Sequence, residues 1–298
     1  MRNIYTYCFL VLLCLGFSGC DSGAPQNEEK KESAGTGYLT IKGSDTMVHL
    51  VSSWAEEFMK LHKDVEISVT GGGSGTGIAG LINGTTDICA SSRRINEKEK
   101  ELASGKGRVP VELSVALDGI AVIVHPQNPV EALSMEQLQG IFTGKITSWQ
   151  EVGGANQDLL VFSRESSSGT YVFFQEHVMN RQDYTPRARL LPGTSALVQG
   201  VAADTGAIGY VGLGYVKNSA DRIKAISILD KDGGTAIAPS DNAVKDGSYP
   251  IARALFLYTS GEAQGTAKDF VEFTLSEQGQ NIVYESGYVS VMSNENKQ

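Results

Sequence analysis

Hydroxyl side chains, glycine and one arginine lie between a short apolar run and a predicted helix start, within residues 159–171. The loop contains Arg164, Ser168, Gly169 and Thr170. Backbone N–H groups in the first turn of a helix lack partners and carry partial positive charge, so they attract anions. The hydroxyls add neutral donors and the arginine adds a forked charge. This combination predicts an anion site; a plain helix cap beside a surface arginine is the alternative.

A second loop of the same kind follows the first predicted strand. Ser44, Asp45, Thr46 and Met47 precede residues 48–61, where apolar side chains recur every three or four positions as in a helix. The hydroxyls and the carboxylate stand where the N-cap of that helix is expected. The second loop is therefore another candidate for contact with an anion.

A run of glycines around Ser74, at residues 71–77, follows a predicted strand at 65–70. It matches the dinucleotide fingerprint G-x-G-x-x-G, but the next strand begins a few residues later and ends in basic residues. A P-loop is excluded because no Lys-Ser or Lys-Thr follows the glycines. The glycines more simply let the backbone approach an anion closely, with a flexible hairpin tip as the alternative.

Strands alternate with helices along the chain, which predicts a parallel α/β fold. Two long apolar runs, near residues 111–124 and 248–259, are predicted to cross between two α/β lobes. The predicted boundaries are 38–115 plus 253–294 for one lobe and 116–252 for the other. Ligands in such folds bind at the carboxyl ends of strands, so we expect the loops described above to line a cleft between the lobes.

Composition narrows the functional classes. The chain has 298 residues, 41% apolar and 20% charged, with a net charge of −9, so it is a poor candidate for nucleic-acid binding. A small-anion site remains compatible, because local dipoles can build one. The four histidines show no metal-ligand spacing and no G-x-S-x-G elbow is present, which argues against a phosphatase or serine hydrolase. We therefore expect neither an enzyme nor a metal or cofactor.

Residues 1–19 are predicted to be an export signal, with a basic start and an apolar segment too short to span a bilayer. The segment ends in F-S-G-C, and Cys20 resembles the lipidated cysteine of bacterial lipoproteins. Phe17 departs from that pattern, which prefers leucine or a similar aliphatic residue, and ordinary signal cleavage is the alternative. Residues 20–37 are polar and are predicted to be the lipid anchor and a flexible tether.

The cysteines offer no disulfide framework. Once residues 1–19 are removed, only Cys20 and Cys89 remain. Cys89 lies in an apolar stretch and is predicted to be a small core side chain. Lipidation of Cys20 would anchor the folded chain in the periplasm or on the outer face of the cytoplasmic membrane.

Seven segments in a fixed order carry a resemblance to a known family: I-K-G-S-D-T-M, G-G-G-S-G-T-G, D-I-C-A-S-S-R-R-I, F-T-G-K-I-T-S-W, S-R-E-S-S-S-G-T-Y, G-A-I-G-Y-V and Y-P-I-A-R-A-L-F. With them, residues 38–290 resemble the periplasmic phosphate-binding protein of the phosphate-specific ABC transporter. The resemblance implies the two-lobed type II periplasmic binding protein fold. It also implies a monomer that binds inorganic phosphate and delivers it to an ABC permease. A receptor for another tetrahedral oxyanion such as sulfate or molybdate, or a phosphate-binding sensor or surface protein, is the alternative.

The resemblance also implies a set of phosphate contacts: Thr46, the backbone amide of Met47, Ser74, Arg164, Ser168, Gly169 and Thr170. One position departs from the best-known members, which end the fourth strand with an aspartate that binds phosphate. At that position this chain has Ser92 followed by Arg93, and a solvated basic turn over residues 91–94 is the alternative. Ser166 likewise replaces a carboxylate two residues after the arginine.

The missing carboxylate matters for selectivity. Hydrogen phosphate carries a proton and sulfate does not, so a buried carboxylate accepts the hydrogen bond of one and repels the other. Ser92 can accept a hydrogen bond but lacks the repulsive charge. We therefore hypothesise that Asp45 supplies the missing acceptor, with a plain helix N-cap as the alternative.

Overall fold

The computed structural model describes residues 37–229 and 234–292. The predicted export signal, the predicted lipidation at Cys20 and nearly all of the predicted tether lie outside the described residues. Gly37, assigned to the tether, is the first residue of a strand. Within the described ranges, no helix combines the length and apolar character needed to cross a membrane.

Strands and helices alternate along most of the chain, as predicted. The strands are β1 (Gly37–Gly43), β2 (Val65–Thr70), β3 (Ile88–Ser91), β4 (Pro110–Val124), β5 (Ala132–Leu133), β6 (Leu160–Arg164), β7 (Arg189–Leu191), β8 (Ala207–Gly212), β9 (Lys224–Leu229), β10 (Ala236–Ile237) and β11 (Ala252–Ser260). The helices are α1 (Val48–Leu61), α2 (Ser74–Asn83), α3 (Glu97–Ser104), α4 (Met135–Thr143), α5 (Gly169–His177), α6 (Thr194–Ala202), α7 (Leu213–Lys217), α8 (Asp241–Lys245), α9 (Gly265–Leu275) and α10 (Glu277–Glu285). One 3-10 turn lies at Trp149–Val152.

Two long strands, β4 and β11, connect two α/β lobes. Lobe I comprises β1–β3, α1–α3, α9, α10, β11 and the first part of β4; lobe II comprises the end of β4 and the elements from β5 to α8. The strand order is β2-β1-β3-β11-β4 in lobe I and β4-β8-β6-β7 in lobe II. β4 changes partner between Gly119, which pairs with β11, and Ile120, which pairs with β8.

The strands of the βα units are parallel, but the connecting strands are not. β1 runs parallel to β2 and β3, and β6 runs parallel to β7 and β8. β4 and β11 run antiparallel to each other, because the chain enters lobe II along one and returns along the other. The prediction of a parallel α/β fold is thus correct for the βα units, whereas each lobe as a whole has a mixed sheet.

Each lobe has its own hydrophobic core. In α1 the buried residues follow the predicted helical spacing: Leu50, Val51, Trp54, Ala55 and Phe58. Leu61, predicted to share that face, is 56% exposed because the helix ends there. Burial of each large apolar side chain contributes roughly 1.5–3 kcal/mol, so these cores hold the site loops in place. Cys89 is fully buried, which confirms its prediction as a core side chain.

Candidate anion-binding site

The predicted hydroxyl loops of the two lobes meet in the structure. Thr46, Ser74 and Ser92 come from lobe I, and Ser168 and Thr170 come from lobe II; each is at most 2% exposed. The hydroxyl oxygens of Thr46 and Thr170 are 2.8 Å apart. Those of Ser74 and Ser92 are 3.2 Å apart. Buried hydroxyls from both lobes therefore form one cluster, named here the hydroxyl cluster.

Gly169 allows the two lobes to approach so closely. A Cβ atom at this position would lie 2.3 Å from Ser74 Oγ and 2.7 Å from Ser92 Oγ. At the same contact, the amide of Gly75 donates to the carbonyl of Ser167 at 2.9 Å. The alternative of a flexible hairpin tip is therefore wrong: the glycine run is a packed contact between backbones, and α2 already begins within it, at Ser74.

Several of the hydroxyls are oriented by N–H donors. Ser74 Oγ accepts from the amide of Ser92 at 3.0 Å, and Ser168 Oγ accepts from the amide of Tyr171 at 3.3 Å. Thr170 Oγ1 accepts from Nη2 of Arg253 at 3.0 Å. A hydroxyl that accepts from a donor turns its own proton away from that donor. The cluster is thus preorganised to donate hydrogen bonds, which suits an anion.

Arg164 lies at the end of β6 and is only 2% exposed. Its Nη2 donates to Asp45 Oδ2 at 2.6 Å and to the carbonyl of Pro192 at 2.9 Å. Its Nη1 donates to Thr194 Oγ1 at 2.8 Å, and its Nε to the carbonyl of Leu191 at 3.3 Å. The alternative of a surface arginine is therefore wrong, and the charge is buried in a fixed orientation.

Asp45 does not cap α1. The N-cap residue is Met47, which makes no side-chain capping bond, so the prediction of a cap in this loop is wrong. Asp45 Oδ1 instead accepts from the amide of Gly72 at 2.9 Å, while Oδ2 binds Arg164 of lobe II. The backbone carbonyl of Asp45 also accepts from the hydroxyl of Tyr215 at 2.8 Å. Asp45 thus joins the glycine loop to lobe II.

The other predicted site residues of the first loop serve mainly the local turn. The amide of Ser44 donates to the carbonyl of Ala90 at 2.8 Å. The amide of Met47 donates to the carbonyl of Ser44 at 3.0 Å, and the Met47 side chain is fully buried in the core of lobe I. Both residues therefore fix the position of Thr46 between them.

Arg93 is directed to α3. Its Nη1 and Nη2 donate to the two carboxylate oxygens of Glu99 at 2.8 and 2.7 Å. Burial raises the pKa of Glu99, but hydrogen bonds from Arg93 and the amide of Asn96 outweigh this effect and hold it below its ordinary value. The charge of Arg93 is thus paired with Glu99 of α3. The alternative of a solvated turn is wrong for Arg93, since its side chain is only 11% exposed.

Two charged residues that were not among the predicted site residues lie beneath the hydroxyl cluster. Arg253 of β11 donates to Asp118 Oδ2 of β4 from Nε at 3.2 Å and from Nη2 at 3.0 Å. Burial raises the pKa of Asp118 and lowers that of Arg253, and their mutual attraction opposes both shifts. The signal in the sequence is a charge deep inside each long apolar run, Asp118 in one and Arg253 in the other, because a charge in a buried strand requires a partner.

The chain matches known sequences over most of its length. Residues 28–278 match the PBP superfamily domain. The chain is 36% identical over 284 residues to the phosphate-binding protein PstS of Bacillus subtilis, covering 95% of this chain and 90% of that protein. It is 31% identical over 280 residues to the phosphate-binding protein PstS of Pseudomonas aeruginosa PAO1, covering 88% and 85%.

Solved structures give the same grouping. One is a substrate-binding protein of Clostridium perfringens, assigned to a phosphate ABC transporter and solved with bound phosphate. It superposes on this chain with a TM-score of 0.77 at 32% identity, covering 86% of this chain and 100% of that one. An ABC-type phosphate transport receptor from Vibrio cholerae gives a TM-score of 0.68 at 30% identity, covering 85% and 99%. The fold is the two-lobed type II periplasmic binding protein fold, and the chain belongs to the PstS family of phosphate-binding proteins within the PBP superfamily.

Proposed function

We propose that this chain binds inorganic phosphate outside the cytoplasmic membrane and delivers it to an ABC permease for import. The observation that carries the proposal is the hydroxyl cluster, in which oriented donors from both lobes are buried. Such donors suit an oxyanion with several acceptor oxygens. The relatives named phosphate-binding protein, and the C. perfringens structure with bound phosphate, support phosphate as that oxyanion.

The proposed site keeps the whole predicted set: Ser44, Asp45, Thr46, Met47, Ser74, Ser92, Arg93, Arg164, Ser168, Gly169 and Thr170. Thr46, Ser74, Ser92, Ser168 and Thr170 are all buried, and the hydroxyls of Thr46 and Thr170 already meet across the lobes. Arg93 and the amide of Met47 have partners within lobe I, so contact with phosphate would require those bonds to be exchanged. Binding is proposed to hold the lobes together through the strands β4 and β11, as in hinge closure.

The lobe boundaries at residues 115/116 and 252/253 remain our proposal. The change of partner in β4 at Gly119 and Ile120 supports a boundary close to the first. β11 begins at Ala252, which supports the second. Separate expression of residues 116–252 is the test: a cooperative thermal transition is expected, and a chain without one would contradict the boundaries.

We further propose that Cys20 is lipidated and that the chain is monomeric and catalyses no reaction. The relatives are named as binding proteins and transport receptors, which supports the last point. Labelled fatty acid incorporated by the wild type but not by Cys20→Ala would support the anchor. Hydrolysis of phosphate monoesters by the purified chain, with or without added metal, would contradict the non-enzymatic role.

Isothermal titration of the soluble form that begins at Asp21 is the test of the main proposal. We expect one-to-one binding of phosphate that excess sulfate leaves unchanged. Absence of phosphate binding would refute the proposal.

A second candidate, a receptor for other tetrahedral oxyanions as well, is favoured by one observation. Ser92 replaces the usual carboxylate, and both oxygens of Asp45 are already paired. Neither Ser92 nor Asp45 therefore contributes a carboxylate without a hydrogen-bond donor, which is what would repel sulfate. Displacement of phosphate by sulfate or molybdate in the same titration would support this candidate.

A further inference from the structure

Arg253 and Asp118 occupy a distinctive place in the fold. They are direct partners in the antiparallel pairing of β11 with β4, the two strands that connect the lobes. Arg253 is 7% exposed and Asp118 is fully buried. The remaining oxygen of Asp118 accepts from the amide of Leu213 at 3.0 Å. The carboxylate is thus fully engaged, and it fixes the orientation of the guanidinium group.

The same guanidinium group also contacts the site loops of both lobes. Its Nη1 donates to the backbone carbonyl of Ser92 at 2.8 Å, in lobe I. Its Nη2 donates to Thr170 Oγ1 at 3.0 Å, in lobe II. Thr170 Oγ1 is in turn 2.8 Å from Thr46 Oγ1. A fixed chain of contacts therefore runs from Asp118 through Arg253 into the hydroxyl cluster.

The charge of Arg253 decides how the Thr170 hydroxyl is used. A cation attracts the oxygen of a neighbouring hydroxyl and repels its proton, so the proton of Thr170 points away from Arg253. Because the group is desolvated, this preference is stronger than it is in water. A hydroxyl held in this way can donate to Thr46 Oγ1, 2.8 Å away, or to an anion that takes that place, while its oxygen still faces Arg253.

We propose that Arg253, fixed by Asp118, is a positioning residue that presets the Thr170 hydroxyl as a hydrogen-bond donor to the bound anion. This inference rests on the proposed function, since it concerns the same site. The competing explanation is a purely structural ion pair that holds β4 and β11 together. The two explanations differ in whether the effect of Arg253 depends on the hydroxyl of Thr170.

A double-mutant cycle separates them. The dissociation constant for inorganic phosphate is measured for the wild type, Arg253→Gln, Thr170→Val and the double variant. Each single change is expected to weaken binding about tenfold or more, the size expected for one hydrogen bond that involves a charged network. In the Thr170→Val background, Arg253→Gln is expected to weaken phosphate binding by less than about a further threefold, because the hydroxyl that Arg253 orients is gone.

Arg94→Gln is the matched control. Arg94 is also an arginine near the lobe boundary, but it is exposed and pairs with Glu112 at 3.2 Å. The affinity of the Arg94→Gln variant for phosphate is expected to equal that of the wild type. Arg253→Lys keeps the charge but loses the fork, so it is expected to recover only part of the affinity.

Folding is checked by thermal unfolding of each variant. If Arg253→Gln does not fold because Asp118 is left unpaired, the double variant Arg253→Gln, Asp118→Asn replaces it in the cycle, since it buries no unpaired charge. The inference would be overturned if the loss of Arg253 left the affinity for phosphate unchanged. It would also be overturned if the fold-losses of affinity from the Arg253 and Thr170 variants simply multiplied in the double variant. Failure of the wild type to bind phosphate would instead overturn the proposed function, and this inference with it.

Discussion

At the scale of single residues, side-chain type predicted which groups donate, but not which groups they are paired with. Arg164 was identified from the sequence as a forked charge in a hydroxyl loop, and it is buried as the site requires. Its carboxylate partner is Asp45, which lies 119 residues away in the chain and in the other lobe. No local pattern links those two positions. The pairing follows from the approach of the two lobes.

Arg164→Ala is expected to weaken phosphate binding by roughly 10- to 100-fold, because a charge-assisted hydrogen bond contributes about 1.5–3 kcal/mol. Titration calorimetry measures the change. Arg189→Ala is the control, since Arg189 is exposed at the edge strand β7. Equal affinities of Arg164→Ala and the wild type would remove Arg164 from the proposed site.

Asp45→Asn is expected to lower the free energy of unfolding by roughly 1–3 kcal/mol without phosphate, because Arg164 loses its anionic partner. Because Asp45 belongs to the proposed site, added phosphate should raise the melting temperature of this variant less than that of the wild type. Differential scanning calorimetry with and without phosphate measures both effects. An unchanged preference for phosphate over sulfate in Asp45→Asn would show that Asp45 is not the acceptor of the phosphate proton.

At the scale of elements, the helix starts place the hydroxyls and glycine sets how closely they meet. α5 begins at Gly169 with Ser168 as its cap, inside the loop that was predicted to precede the helix. The glycine run was expected to be a loop, yet Ser74 is already the first residue of α2. A Cβ atom at Gly73 would lie 2.5 Å from the carbonyl oxygen of Ser167. The run is therefore required by a contact between lobes, which the local sequence does not reveal.

Gly169→Ala is expected to weaken phosphate binding by about tenfold or more, because its methyl group would overlap Ser74 Oγ and Cβ and keep the lobes apart. The fold of each lobe should persist. Gly105→Ala is a matched control, since a Cβ atom there meets its nearest atom at 3.4 Å. Wild-type affinity in Gly169→Ala would show that this close contact is not needed for binding.

At the scale of the whole molecule, two separately packed lobes are joined by β4 and β11, and the buried ion pair of Asp118 with Arg253 lies on those strands. Bonds between the lobes include Asp45 with Arg164 and Gly75 with Ser167. The stability of the closed form and the binding of the anion are therefore coupled. Anything that binds the closed site stabilises the molecule by mass action.

Phosphate at about 100 times its dissociation constant is expected to add about 2.7 kcal/mol to the free energy of unfolding of the wild type. Denaturant titration with and without phosphate measures the difference. At the same phosphate concentration, the free energy of unfolding of Arg164→Ala should rise by less than that of the wild type. An equal gain from sulfate at the same concentration would favour the broader oxyanion receptor.

The sequence by itself determined the alternation of strands and helices, the span of α1, the buried Cys89 and the hydroxyl loops that end in helix starts. These features follow from periodicity, capping and side-chain type, which act over a few neighbouring residues. Only the tertiary structure decided that Asp45 pairs with Arg164, that Arg93 pairs with Glu99 and that Arg253 with Asp118 supports the hydroxyl cluster. A buried charge must find a partner, but the partner is selected by how distant segments pack, which no local pattern contains.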